Sequence, residues 1–175
     1  LDVQDGAHLL RNQLAIGVSD ARRLVDRDPH KALSAAALDF HLDHFEAFGL
    51  GNALRDLKRF EEALESYDRA LALRPDWAPA LNNRGLALMD LERHGDALAC
   101  FERALSAEPK DAELRFHRGN ALLRLQRHEE AIAEYERVLS LAPAHAWAWN
   151  NLGNTLHAIG ESDAALDAYA ASGRP

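Results

Sequence analysis

Four glycines, Gly51, Gly85, Gly119 and Gly153, recur at an interval of 34 residues, and the residues around them recur in step. Ala63, Ala97, Ala131 and Ala165 keep the interval, as do the aromatics Tyr67, Phe101, Tyr135 and Tyr169 and the prolines Pro75, Pro109 and Pro143. A fixed period of this length marks stacked supersecondary units, each of which buries an apolar face against its neighbour because it cannot bury it alone. The period therefore constrains the fold before any residue-by-residue propensity does.

Within each period two helical patterns flank a short polar break. In the third, Leu114, Arg118, Leu122 and Leu125 share one face, a break falls at Gln126-Arg127-His128, and Ala131, Ile132, Tyr135, Val138 and Leu139 trace a second stripe spaced by three and four residues. Pro143 ends that second helix, since proline disfavours the helical conformation of the residue before it and donates no amide hydrogen bond. Each unit is thus expected to be a helical hairpin. Asp43, Asp76 and Asp111 are placed to cap first helices, and Asp43 with Glu46 has capping-box spacing. Glycine inside a helix costs roughly 1 kcal/mol against alanine, so four at one interval imply a geometric need. That need is close approach of backbones, with an aromatic from the second helix filling the space alongside.

Taken together, the first-helix glycine, the second-helix alanine with an aromatic four residues on, Ala70-Leu71 and Ala104-Leu105 behind it, and the terminal proline resemble the tetratricopeptide repeat family. The resemblance covers about residues 44–175 as four repeats, 44–77, 78–111, 112–145 and 146–175, beginning near His44, Ala78, Ala112 and Ala146. It implies an all-α, right-handed superhelical solenoid of antiparallel helix-turn-helix repeats. Arg84 and Arg118 depart from the usual leucine before the glycine, and His94 and His128 stand where tyrosine is frequent. The two arginines are expected to pack their aliphatic stems and pair their guanidinium groups with a neighbouring acid.

Residues 1–43 are less regular. Leu10, Leu14, Gly17, Ala21 and Leu24 form a helical stripe, and Asp28-Pro29 reads as the N-cap and first turn of a helix carrying Ala32, Leu33, Ala36, Ala37 and Phe40. This segment is expected to be a divergent capping pair of helices, since repeat arrays need atypical ends. Residues 161–175 show no solvating cap, so either the array continues or the apolar face there meets another molecule, a second copy included.

Composition narrows the partner. With 20 basic against 28 acidic residues, a net charge of −8 and no basic cluster, a nucleic-acid surface is disfavoured. No apolar run is long enough to span a bilayer. The lone Cys100 excludes an internal disulfide and reads as a small buried side chain. The start at Leu1 lacks the regions of a signal peptide, and a cytoplasmic location is the expectation, although a processed leader could have preceded a chain that does not begin with Met.

By resemblance, the binding surface is the inner wall made by one face of each first helix: the residues six, three and two before each glycine and one, four and five after it. The candidate contacts on that wall are Phe48, Asn52, Arg55, Asn82, Asn83, Phe116, His117, Asn120, Arg124, Trp147, Asn150, Asn151, Asn154 and His157. Rows of side-chain amides both donate to and accept from an extended peptide backbone without demanding one sequence. Two roles stay open for Asn52, Asn83, Asn120, Asn151 and Asn154: contact with a ligand, or bonds to neighbouring helices. Repeat domains that grip the acidic C-termini of heat-shock chaperones place Lys and Arg beside Asn. Here Phe48, Asn82, Phe116, Glu113 and His117 occupy those places, which argues against that clamp. Trp147 is expected to face the groove, Trp149 to enter the core and Trp77 to cover a repeat junction.

No nucleophile elbow, phosphate-binding loop or zinc-protease motif is present, so neither catalysis nor a cofactor is expected. His41 and His44 with Asp39 and Asp43 have helical spacing for a metal, but no further ligand follows, and surface histidine is the expectation. Two functions remain: a stand-alone scaffold for a protein or peptide partner, or an accessory array of a larger enzyme. Trp149-Asn150-Asn151-Leu152-Gly153-Asn154 resembles repeats of O-linked N-acetylglucosamine transferases, which implies guidance of protein substrates to a separate catalytic domain.

Overall fold

The computed structural model describes the backbone of residues 29–173 and the side chains of residues 43–173. The stripe from Leu10 to Leu24, Asp28, and the packing of Ala32 to Phe40 lie outside those limits, as do Arg174 and Pro175. Among the described residues there are eight helices and no strand: α1 (Pro29–Asp56), α2 (Phe60–Leu73), α3 (Ala78–Asp90), α4 (His94–Ala107), α5 (Ala112–Arg124), α6 (His128–Leu141), α7 (Ala146–Ala158) and α8 (Ser162–Ser172). Contacts divide the chain into two units, residues 1–45 and 46–175. In the second unit each helix from α2 onward packs on the next, and α3 also touches α5 directly.

The hairpins close on the repeated glycines. A Cβ added to Gly51, Gly85, Gly119 or Gly153 would stand 2.5, 2.6, 2.8 or 2.6 Å from the ring of Tyr67, Phe101, Tyr135 or Tyr169, respectively. The aromatic ring occupies the volume a side chain would need, which answers the helix propensity lost at each glycine. Around these contacts Ala63, Ala97 and Ala131 are fully buried, and one cluster runs from Leu54 through Leu88, Leu122 and Val138 to Leu152.

The turns repeat as faithfully. Arg59, Arg93, Arg127 and Glu161 each donate their backbone N–H to the carbonyl five residues back, at 2.8 to 3.0 Å. Lys58, Glu92, Gln126 and Gly160 between them take positive φ of 59°, 59°, 60° and 91°. This is a Schellman closure, with the left-handed residue just beyond the helix end. Arg59, Arg93 and Arg127 then pair with Glu62, Asp96 and Glu130 in the first turn of the second helix.

Several expectations need correction. Asp43 does not cap a helix: α1 runs through it without interruption, because residues 41–48 contain neither glycine nor proline to break the hydrogen-bond ladder. Asp76 precedes the cap residue Trp77, whose side chain makes no cap bond. Asp111 does cap, accepting from the Leu114 N–H at 3.0 Å, and His145 does the same for Ala148 through Nδ1 at 3.1 Å. The break in the third repeat falls one residue earlier than expected, at Leu125-Gln126-Arg127, since α5 ends at Arg124 and His128 already opens α6. Trp149 is only half-buried, packed against the core while its indole N–H donates to the Pro143 carbonyl at 2.9 Å. Trp77 is buried with Ala47, Ala70 and Ala80, covering the junction of the first two repeats.

Candidate functional site

The first helices carry the candidate wall, and Asn52, Asn120 and Asn154 on it are bonded to the second helices behind them. Asn52 Oδ1 accepts from the Tyr67 hydroxyl at 2.9 Å and from Asn83 Nδ2 at 2.8 Å. Two repeats on, Asn120 Oδ1 accepts from Tyr135 at 2.9 Å and from Asn151 Nδ2 at 2.8 Å. Asn154 Oδ1 accepts from Tyr169 at 2.8 Å, and its own Nδ2 donates to Asn150 Oδ1 at 3.1 Å. Burial pushes the Tyr67 hydroxyl up to about 12 and shifts Tyr135 upward as well, so both stay protonated donors. The two roles left open for these asparagines are resolved in part: they brace the repeats, and the oxygen of Asn52 or Asn120 carries both bonds.

The remaining wall residues divide into packed and open groups. Phe48 stacks against Trp77 at 4.7 Å between ring centroids and reaches Tyr67 at 6.0 Å; Phe116 lies 4.8 Å from His145 and 6.1 Å from Tyr135. Both phenylalanines are therefore packed against neighbouring rings at the separations aromatic pairs favour. His117 is half-buried, and its Nδ1 lies 2.8 Å from Asn82 Oδ1, so the ring donates there. Burial lowers its pKa, against the raising influence of Glu113 and Asp111, and the imidazole is neutral at neutral pH. Asn82 Nδ2 donates in turn to Asn83 Oδ1 at 3.2 Å, which links the two asparagine positions of the second repeat. Arg55 is half-buried and its Nη1 has no hydrogen-bond partner. Arg124, His157 and Trp147 are exposed, Trp147 by 70%.

Away from the wall, the two unusual arginines are paired as expected. Arg84 Nε donates to Asp68 at 2.7 Å and its Nη1 lies 3.0 Å from Cys100 Sγ. The Cys100 thiol is buried, and burial pushes its pKa up although Arg84 and Arg103 act in the opposite direction. Arg118 bridges Glu134 at 3.1 Å and Glu102 at 3.2 Å. Glu134, only 2% exposed, also meets Arg115 at 3.3 Å and Arg137 at 2.5 Å. Its one signal in the sequence is Glu134 itself, a carboxylate in a register otherwise held by Ser66, Cys100 and Ala168.

The expectation of surface histidine fails at His44, which is buried; its ring centroid lies 4.4 Å from that of Phe45. Asp39 and His41 lie outside the described side chains, and among the described residues no group of three potential ligands gathers as a metal site. No helix among those residues is long and apolar enough to cross a membrane.

Helical hairpins each closed by one glycine–aromatic contact and packed in sequence, with amides along one wall, define a helical-repeat solenoid. The chain belongs to the tetratricopeptide repeat family: profiles described as tetratricopeptide or TPR repeats match residues 51–92, 82–146 and 134–167. Residues 46–173 accordingly form the all-α, right-handed superhelical solenoid of that family. Among solved structures, MamA 41-end from Desulfovibrio magneticus RS-1 is 22% identical with a TM-score of 0.73, covering 90% of this chain and 92% of its own. The first TPR domain of human RPAP3 is 26% identical with a TM-score of 0.65, covering 69% of this chain and 95% of its own. The first TPR of Spaghetti (RPAP3), solved bound to the HSP90 peptide SRMEEVD, is 26% identical with a TM-score of 0.66, covering 67% and 94%. No curated protein matches the chain.

Proposed function

We propose that the chain is a protein-interaction scaffold that holds an extended segment of a protein partner along the groove wall, with Asn52, Asn82, Asn83, Asn120, Asn150, Asn151 and Asn154 as its polar row. The observation that carries this reading is the way the wall amides are held. Asn52 and Asn120 are fixed through Oδ1, and this leaves their Nδ2 donors uncommitted. Donors positioned in advance lose little freedom when a backbone carbonyl arrives, which is where preorganised sites gain affinity. A 26% identical repeat domain solved with a bound peptide supports the same use of the fold. That peptide, SRMEEVD, is acidic, whereas Phe48, Asn82, Phe116, Glu113 and His117 here offer no row of lysine or arginine. The partner of this chain is therefore held by amides and apolar contacts rather than by its carboxylates.

The test uses the full chain and peptides selected on it from a displayed random library. Replacing Arg124, Trp147 and Asn150 with alanine removes groove contacts that brace no repeat through a tyrosine. Binding should weaken by at least about tenfold, or about 1.4 kcal/mol. A control with Glu65→Ala and Glu136→Ala, exposed on second helices, should bind as wild type. Equal affinity in all three proteins sinks the groove reading.

The same scaffold reading extends to self-association through the α7–α8 face, supported by the exposure of Leu166 and Ile159, 66% and 40%. Sedimentation should show association that rises with concentration and is reduced by Leu166→Glu. A concentration-independent monomer contradicts it.

A further inference from the structure

The second repeat breaks the polar pattern of its neighbours, and a cavity lies at the break. Where the first and third junctions carry Asn52, Tyr67, Asn83 and Asn120, Tyr135, Asn151, the second carries Leu86, Phe101 and His117 in the same register. Leu86 has no acceptor and Phe101 no hydroxyl, so no polar bond ties the wall to the helix behind it. His117 turns to Asn82 instead. A cavity of about 670 Å³ lies here, its floor made by Leu86, Met89 and Leu123 with the fully buried Phe101 ring beneath them, and its polar rim by Asn120, His117 and Asn151 with Arg124 and Glu92 as its charged groups.

We propose that this cavity is an anchor subsite, taking one leucine-, methionine- or phenylalanine-sized side chain from an extended segment of another protein, flanked in that segment by uncharged or basic residues. The inference rests on the groove reading above and specifies its partner. Half-buried apolar side chains in a concave site of this size, within the roughly 300–1,000 Å³ of small-ligand pockets, suit an apolar anchor and the backbone around it. Asn120 Nδ2, free while Oδ1 holds two bonds, offers a donor to a carbonyl beside the anchor. Charge decides the flanks. The wall sets Arg55 and Arg124 against Asp56, Asp90 and Glu113, and the whole chain carries −8, so acidic flanks approach against the field and basic ones with it. The neutral His117 adds no opposing positive charge at neutral pH.

The repeats themselves supply the decisive variant. Leu86→Asn, Phe101→Tyr and His117→Asn together write into the second junction the side chains that already fold in the first and third, replacing the apolar floor with a polar tie; thermal melting followed by circular dichroism checks that the variant folds. Peptides are selected on the full wild-type chain from a displayed random library, and their affinities are read by fluorescence polarisation. The selected peptides should share one large apolar residue whose change to alanine weakens binding at least about tenfold. Glutamate in place of the flanking residues should weaken binding about threefold or more, and the triple variant should lose at least about tenfold. Peptides that need Trp147 and Asn150 yet bind the triple variant as tightly as wild type overturn the subsite and leave the groove reading standing. Selection of acidic peptides without an apolar anchor also overturns the subsite. Peptides insensitive to both sets of substitutions, or none selected above background, sink the groove reading and the subsite with it.

Discussion

The second repeat and its two neighbours share one helix contact and differ on both sides of it. Phe101 meets Gly85 as closely as Tyr67 meets Gly51 or Tyr135 meets Gly119. On the groove side, however, the neighbours have an asparagine oxygen that accepts from both a tyrosine hydroxyl and a second asparagine, and the second repeat has Leu86, Phe101 and His117. On the outer side, the third repeat buries Glu134 among three arginines, where the second has Cys100 in contact with Arg84. The hairpin is therefore built by apolar shape, and polar bonding is an addition that one repeat can drop or exchange. A position released from the polar tie is available for recognition.

The largest expected effect lies on the outer side. Glu134→Ala leaves Arg115, Arg118 and Arg137 without their shared carboxylate and should cost about 3 kcal/mol. Cys100→Ala, in the same register, should cost about 1 kcal/mol or less. Urea denaturation measures both, and equal losses would show that the third repeat is no different from the second. The shared contact comes next. Gly85→Ala and Gly119→Ala should each cost about 1–3 kcal/mol, since overpacking outweighs the better helix propensity of alanine. Gly95→Ala, in a helix with nothing within 4 Å of the added carbon, should instead stabilise. If Gly85 and Gly119 respond very differently, the common contact is not common.

Smaller effects probe the groove side. Tyr135→Phe should cost about 1 kcal/mol, the net worth of its bond to Asn120. Phe101→Tyr should also destabilise, because a buried hydroxyl beside Leu86 finds no acceptor, and adding Leu86→Asn should recover most of the loss. A double-mutant cycle in which the two changes simply add would break the comparison. His117 gives the smallest signal. Its folded pKa is depressed, so below about 6.5, the ordinary value, the unfolded chain takes up a proton before the folded one does. Stability is thus retained above that pH and falls as pH drops below it. His117→Asn should flatten the fall in melting temperature between neutral and mildly acidic pH, and an unchanged profile would place the titration elsewhere.

Much of the fold was legible because the repeating residues act through local geometry. A glycine facing an aromatic 16 residues on, with proline beyond, prescribes a hairpin wherever it occurs. The capping of α1 was not legible in the same way: Asp43 has the right neighbours for a cap, and only the lack of any helix breaker before it decides otherwise. The wall was legible as a row but not as a set of partners. The exchange of Asn and Tyr for Leu and Phe is plain in the sequence, yet nothing in one chain says that Asn120 reaches Tyr135 and Asn151 together. Nor does helical spacing tell that Phe48 and Phe116 pack against other rings while Trp147 stands open, since all three share one face of their helices.

The claim that the groove wall, and the second repeat within it, is where a partner binds can be tested through the single methionine of the chain, Met89, which lines the cavity. Chain labelled with ¹³C at the methionine methyl gives one signal from that wall. On titration with a selected peptide, that signal should move progressively to saturation in the wild-type protein, and should need at least about tenfold more peptide to move when Leu86, Phe101 and His117 carry the asparagine, tyrosine and asparagine of the neighbouring repeats. A peptide that binds while the Met89 methyl signal does not move in the wild-type protein would contradict the account.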